Sequence, residues 1–148
     1  MKSNKIINIY TDGACKGNPG PGGWGALLEY DGYTKEIKGF SPLTTNNIME
    51  LKAVIEALKI IKYPSKIIIM TDSKYVKNGI SDWINNWKAK GWKTANKKPV
   101  KNKDLWIDLD KLCSGHNIEW KWVRGHTGHP ENELADQLAN EGINNLYK

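Results

Sequence analysis

Apolar and polar residues alternate in short runs over the first forty positions, and a helical period then takes over. Ile6 to Thr11 reads as a strand ending at Asp12-Gly13, followed by a glycine-rich turn, GNPGPGG, and a second strand from Trp24 to Tyr30. Asp31-Gly32 is a two-residue hairpin signal, and Tyr33 to Phe40 alternates as a third, antiparallel strand. Ile48, Leu51, Ile55, Leu58 and Ile61 then recur every three or four residues, which is one apolar face of a helix. Thr44, Thr45, Asn46 and Asn47 supply its N-cap candidates, and Tyr63-Pro64 ends it. Lys66 to Thr71 (KIIIMT) is a continuous apolar run of the kind buried on both faces of a parallel sheet.

Asp72-Ser73 caps a short helix reaching about Asn78. Two further helices, Trp83 to Lys90 and Asn102 to Leu112, surround a lysine-rich loop. Ile118 to Val123 alternates as a strand, and Pro130 suits the first turn of a last helix over Glu131 to Asn145. Three hairpin strands followed by βα units predict an α/β fold, a mixed sheet with helices on both faces. Neither a repeat nor a linker divides residues 1–148, so one domain is expected.

Composition narrows the class. At 148 residues the chain buries a core without staples, and Cys15 and Cys113 stand too far apart for a CxxC zinc site. No apolar run approaches the ~20 residues of a membrane helix, and the N-terminus lacks the pattern of a signal peptide. A soluble protein of a reducing compartment is expected. The net charge of +6 is local: seven lysines and no acid lie between Lys88 and Lys103. Such a patch fits a polyanion, although a solvated lysine-rich surface would look the same.

Two carboxylates stand in equivalent places, Asp12 after IINIYT and Asp72 after KIIIMT. Ligands of open α/β sheets bind beyond the carboxyl ends of strands, so parallel neighbours would set these acids side by side around a divalent cation. Taken singly, Asp12 could simply begin a turn and Asp72 cap a helix. Glu50 and Asp136 each head an otherwise apolar helix row, with Val54, Ala57 and Ile61 and with Ala139 and Ile143. Dipole placement near a helix N-terminus explains an acid in the first turns, but not one on the buried row. Four converging carboxylates would hold two hard cations for phosphoryl displacement, with Mg²⁺ the expected cofactor and Mn²⁺ a substitute.

His126, in the loop RGHTGHP, is a candidate proton carrier or a plain surface histidine, and His129 reads as structural. Trp83, Trp87 and Trp92 lie among Lys88, Lys90, Lys93, Lys97 and Lys98, a mix that suits phosphates and sugars, although one of Trp83 and Trp87 is expected in the core. Thr44, Thr45, Asn46 and Asn47, with Asn18 close by, offer hydroxyl and amide groups for a phosphate or sugar. Recognition of sugars and backbone without a base-reading helix suits duplex shape and 2′-hydroxyls.

Together these segments resemble type 1 ribonuclease H. YTDGACKGNPGPGGWG, TTNNIMELKAVIEAL, MTDSKYV, GWKTANKKPVKNKDLW and WVRGHTGHPENELAD look like that family's successive segments, from about Ile6 to Ala139. The resemblance implies a mixed five-stranded sheet and hydrolysis of the RNA strand of RNA–DNA hybrids to 5′-phosphate and 3′-hydroxyl ends. It implies Asp12, Glu50, Asp72 and Asp136 as metal-binding catalytic carboxylates, His126 as the catalytic-loop histidine, and a basic protrusion at about 83–102. Hybrid contacts are implied at Asn18, Thr45, Asn46, Asn47 and Trp83, in an enzyme that works as a cytoplasmic monomer. Ile48 and Lys74 depart from the basic residue and glutamine of many bacterial members, at the border of the expected cleft. Two other classes remain: a resolvase or integrase on the same fold, which would cut duplex DNA as fast as hybrid, and a non-catalytic binding module, which would bind hybrid without cutting it.

Overall fold

The computed structural model describes residues 6–17, 19–93, 97–122 and 130–145. Its strands are β1 (Ile7–Cys15), β2 (Gly20–Tyr30), β3 (Tyr33–Thr44), β4 (Lys66–Thr71) and β5 (Asn117–Trp122). They form one sheet in the order β3-β2-β1-β4-β5, antiparallel on the hairpin side and parallel across β1, β4 and β5. The mixed sheet expected from the pattern is therefore present. Asp31 and Gly32 close the first hairpin with positive φ at both positions (52° and 82°), the backbone that a two-residue turn of this hand requires.

Helix α1 (Asn46–Ile60) covers one face of the sheet and α5 (Pro130–Asn145) the other. Residues of β1 alternate between them: Ile9 joins the larger core with Leu51, Val54 and Leu58 of α1, while Tyr10 joins Leu27 and Ala135 on the α5 side. α4 (Lys103–Cys113) packs against α1 and sends the fully buried Trp106 into the larger core. Among the described residues no helix is long and apolar enough to cross a membrane.

Several boundaries differ from the pattern, beginning with β3, which runs past Phe40 to Thr44 and leaves Thr45 as the N-cap of α1. β1 continues through Asp12 and Gly13 to Cys15, so Asp12 sits within a strand, opposite Gly25 of β2, rather than at a strand end. The GPGG of the expected turn is already β2, where glycines leave room for packing that a short-range pattern does not show. Helix α2 (Lys74–Asn78) does not stop at Gly79 but runs through a π-helical turn, Gly79–Trp83, into α3 (Ile84–Ala89). Gly79 is a seat for a ring here: a Cβ at that position would run into the Trp106 indole.

Candidate active site

The parallel register pairs Ile7 with Ile67 and Tyr10 with Met70, an offset that carried two residues further sets Asp12 opposite Asp72. Two helices close on this point from opposite faces. On the α1 side, a Cβ at Gly13 would stand 2.6 Å from the Glu50 backbone nitrogen, so only glycine lets the second turn of α1 settle onto the strand beside Asp12. The Gly13 N–H donates to the Glu50 carboxylate. On the α5 side, a Cβ at Gly25 would stand 2.7 Å from the Ala135 carbonyl oxygen, and that contact brings Asp136 to Asp12. Replacing Gly13 by Ala must push α1 outward; we expect a loss of about 1–3 kcal/mol in stability, read by urea denaturation, with Glu50 displaced from Asp12.

Glu50 lies in the second turn of α1 rather than the first, where the helix N-terminus offers less compensation for its charge. It is nevertheless 5 % exposed, and Asp12 is 3 % exposed. Asp12, Glu50 and Asp72 each place one carboxylate oxygen within 4.8 Å of the other two. Asp136 joins through a hydrogen bond with Asp12, which forms only while one of the pair carries a proton. Burial, the Glu50 charge, that hydrogen bond and the Asp72 charge together push the Asp12 carboxyl up to about 10. Burial and the Asp72 charge hold the Glu50 carboxyl well above the usual range, against the Gly13 N–H, which lowers it.

The Glu50 Oε1 is buried and has no hydrogen-bond partner. An orphaned carboxylate oxygen among like charges, with only oxygen donors around it, fits a hard divalent cation: the ion supplies the missing partner and relieves the repulsion. The three carboxylates offer such a cation one oxygen each.

The other expected residues divide. Thr45 is the N-cap of α1, its hydroxyl accepting from the Ile48 N–H at 3.2 Å, and Asn46 and Asn47 lie exposed on the first turn. Trp83 is exposed (38 %), whereas Trp87 and Trp92 pack against the larger core, in a run of ring contacts from Trp83 through Trp87 to Trp106. One of the Trp83–Trp87 pair thus belongs to the core, as the pattern predicts. Lys88 pairs with Asp110 at 3.3 Å, while Lys90, Lys93, Lys97 and Lys98 are exposed. Asn18, His126 and His129 lie outside the described residues. A cavity of ≈ 1330 Å³ at the other end of the sheet, lined by Tyr30, Ile61, Tyr63 and His116, contains none of the site residues. The carboxylates instead gather at the opposite end of the sheet, just past Tyr10 and Met70, the last pair that β1 and β4 make in parallel.

The RNase H family model matches residues 4–144. The chain belongs to the RNase H family. It is 61% identical over 141 residues to a ribonuclease H of Stutzerimonas stutzeri, covering 95% of this chain and 93% of that one. A ribonuclease H of Chromobacterium violaceum is 57% identical over 147 residues, covering 99% of this chain and all (100%) of the relative. Among solved structures, LC9-RNase H1, a type 1 RNase H with the type 2 active-site motif, superposes with a TM-score of 0.87 at 34% identity, over 98% of this chain and 75% of that one. The fold brings together the four acids that the pattern singles out, Asp12, Glu50, Asp72 and Asp136, whereas Gly13 and Gly25 carry no local signal, because their role is set by what packs on them.

Proposed function

We propose that this RNase H is an endonuclease that hydrolyses the RNA strand of RNA–DNA hybrids with Mg²⁺, leaving 5′-phosphate and 3′-hydroxyl ends. The observation that carries the proposal is the group of three carboxylates, two of them buried, with an orphaned Glu50 oxygen among them. Asp12 and Asp72 would hold a pair of Mg²⁺ ions, with Glu50 and Asp136 completing the ligand set. When bound, Mg²⁺ supplies a water of lowered pKa and neutralises charge at the scissile phosphate.

The chain's own groups do the rest. Strand β1, the two helices and the link after β4 fix the carboxylates before substrate arrives, so little reorganisation is needed in the reaction. Glu50 and its neighbours contact the 2′-hydroxyl, which distinguishes RNA from DNA. Asn18, Thr45, Asn46, Asn47 and Trp83 hold the hybrid's backbone and sugars. The protrusion adds phosphate contacts through its exposed Lys90 and Lys93, whereas Trp87 and Trp92, expected as substrate contacts, pack against the core instead and Lys88 is engaged with Asp110. His126 moves a proton at its imidazole or assists product departure, in an enzyme acting as a cytoplasmic monomer. Replacing His126 by Ala is expected to lower kcat by about 10²-fold with KM little changed, because an acid–base group contributes at that level while the metal site persists.

The test is product analysis on a hybrid carrying label in either strand, with duplex DNA alongside. RNA fragments that a ligase joins without prior phosphorylation, from an intact DNA strand, are expected. Duplex DNA cut as fast as the hybrid would overturn the selectivity for RNA–DNA hybrids and give the chain the substrate range of a resolvase or integrase.

A further inference from the structure

Asp72 is held differently from its partners. Asp12 lies inside a central strand and Glu50 inside a helix, but Asp72 occupies the link between β4 and α2, just past Thr71, the last residue paired with β5. That last pair is Thr71 with Trp122, and the Trp122 indole reaches one residue further: its Nε1–H donates to the Asp72 carbonyl oxygen at 2.8 Å. The following residue is tied down as well, since the Ser73 N–H donates to Thr71 Oγ1 at 3.1 Å and Ser73 Oγ accepts from the Val76 N–H at 3.2 Å. Lys74 and Lys77 then set their ammonium groups over the Trp122 ring, 5.4 Å and 5.3 Å from its centroid. The ring is clamped from the helix that follows Asp72 while its N–H holds the backbone of Asp72 itself.

Given the metal-dependent hydrolysis proposed above, we propose that Trp122 is a positioning residue for Asp72. Its indole N–H pins the Asp72 backbone so that the carboxylate stays against Asp12 and Glu50, where mutual repulsion would otherwise turn it outward. Lys74 and Lys77 contribute by fixing the ring. Side chains that orient metal ligands through one intermediary typically change metal affinity or activity by about 10- to 100-fold when removed.

Trp122→Phe keeps an aromatic ring beneath the two lysines, though a smaller one, and removes the donor. Calorimetry with Mg²⁺ alone on the full chain is expected to show affinity lower by about 10-fold, with kcat reduced to a similar extent. Hybrid affinity in chelator should stay within about 2-fold, because no substrate contact is lost. Trp120→Phe, two residues back on the same face of β5, should bind Mg²⁺ as the unaltered chain does. In the unaltered chain, the Trp122 indole proton should exchange slowly with solvent and its resonance should shift on Mg²⁺ addition; this reading does not depend on the variant folding. Mg²⁺ affinity of Trp122→Phe equal to that of the unaltered chain, or a Trp122 indole proton exchanging as fast as that of exposed Trp83, overturns the role of Trp122 alone. An unaltered chain that binds no Mg²⁺ overturns the metal site as well.

Discussion

Asp12→Asn is expected to abolish cleavage while making the metal-free protein more stable. The loss follows from geometry: Asp12 stands between Glu50, Asp72 and Asp136, so its amide removes one anionic oxygen from every arrangement of the cluster. Several kcal/mol of charge stabilisation depend on that centre, so kcat should fall by roughly 10³-fold or more. Hybrid binding in chelator should persist, since the protrusion is untouched.

The gain in stability follows from the carboxyl pushed up to about 10 in the fold, against an ordinary value near 3.9. The folded protein holds this proton more tightly than the unfolded chain does. Its contribution is therefore complete below about pH 4 and is lost as pH rises through about 10. At neutral pH, midway between the two values, the metal-free protein has already lost about half of it, and a neutral amide at position 12 avoids that loss. In chelator at pH 7.5 or so, Tm of Asp12→Asn should exceed that of the unaltered chain by roughly 3 °C or more, about 1 kcal/mol in a chain of this size. Mg²⁺ should then raise Tm of the unaltered chain and leave Asp12→Asn nearly unmoved. A variant less stable than its parent in chelator would mean that the cluster is held together by other bonds.

Replacing Lys90, Lys93 and Lys98 together by Ala should act on binding instead of chemistry. All three are exposed, whereas Lys88 is engaged with Asp110. Each phosphate contact contributes a slope of about 0.9 in log affinity against log salt, so the slope should fall by up to about 3. Near physiological salt this amounts to affinity weakened on the order of 10²-fold, with kcat at saturating hybrid unchanged. Fluorescence anisotropy across a salt series reads both quantities. An unchanged salt slope would move the substrate away from this protrusion.

The pattern along the chain was sufficient where local chemistry decides. KIIIMT declares β4, Asp31-Gly32 declares the hairpin, and acids on the buried rows of α1 and α5 mark Glu50 and Asp136, which meet Asp12. It was insufficient where distant segments decide. Nothing near Gly13, Gly25 or Gly79 says that a helix or an indole will settle on them, so GPGG reads as a turn and Gly79 as a helix break. Trp122 was overlooked for a similar reason. It ends an ordinary alternating run, and only the β4–β5 register shows that its ring lies beside Asp72.

The most direct test is cleavage of one end-labelled RNA strand presented alone, paired with RNA and paired with DNA, each with Mg²⁺ and with chelator. Cutting confined to the RNA–DNA hybrid and to the Mg²⁺ samples is the expected result. A hybrid bound tightly and left intact in Mg²⁺ would contradict it, and would make the carboxylate cluster a feature of a binding protein.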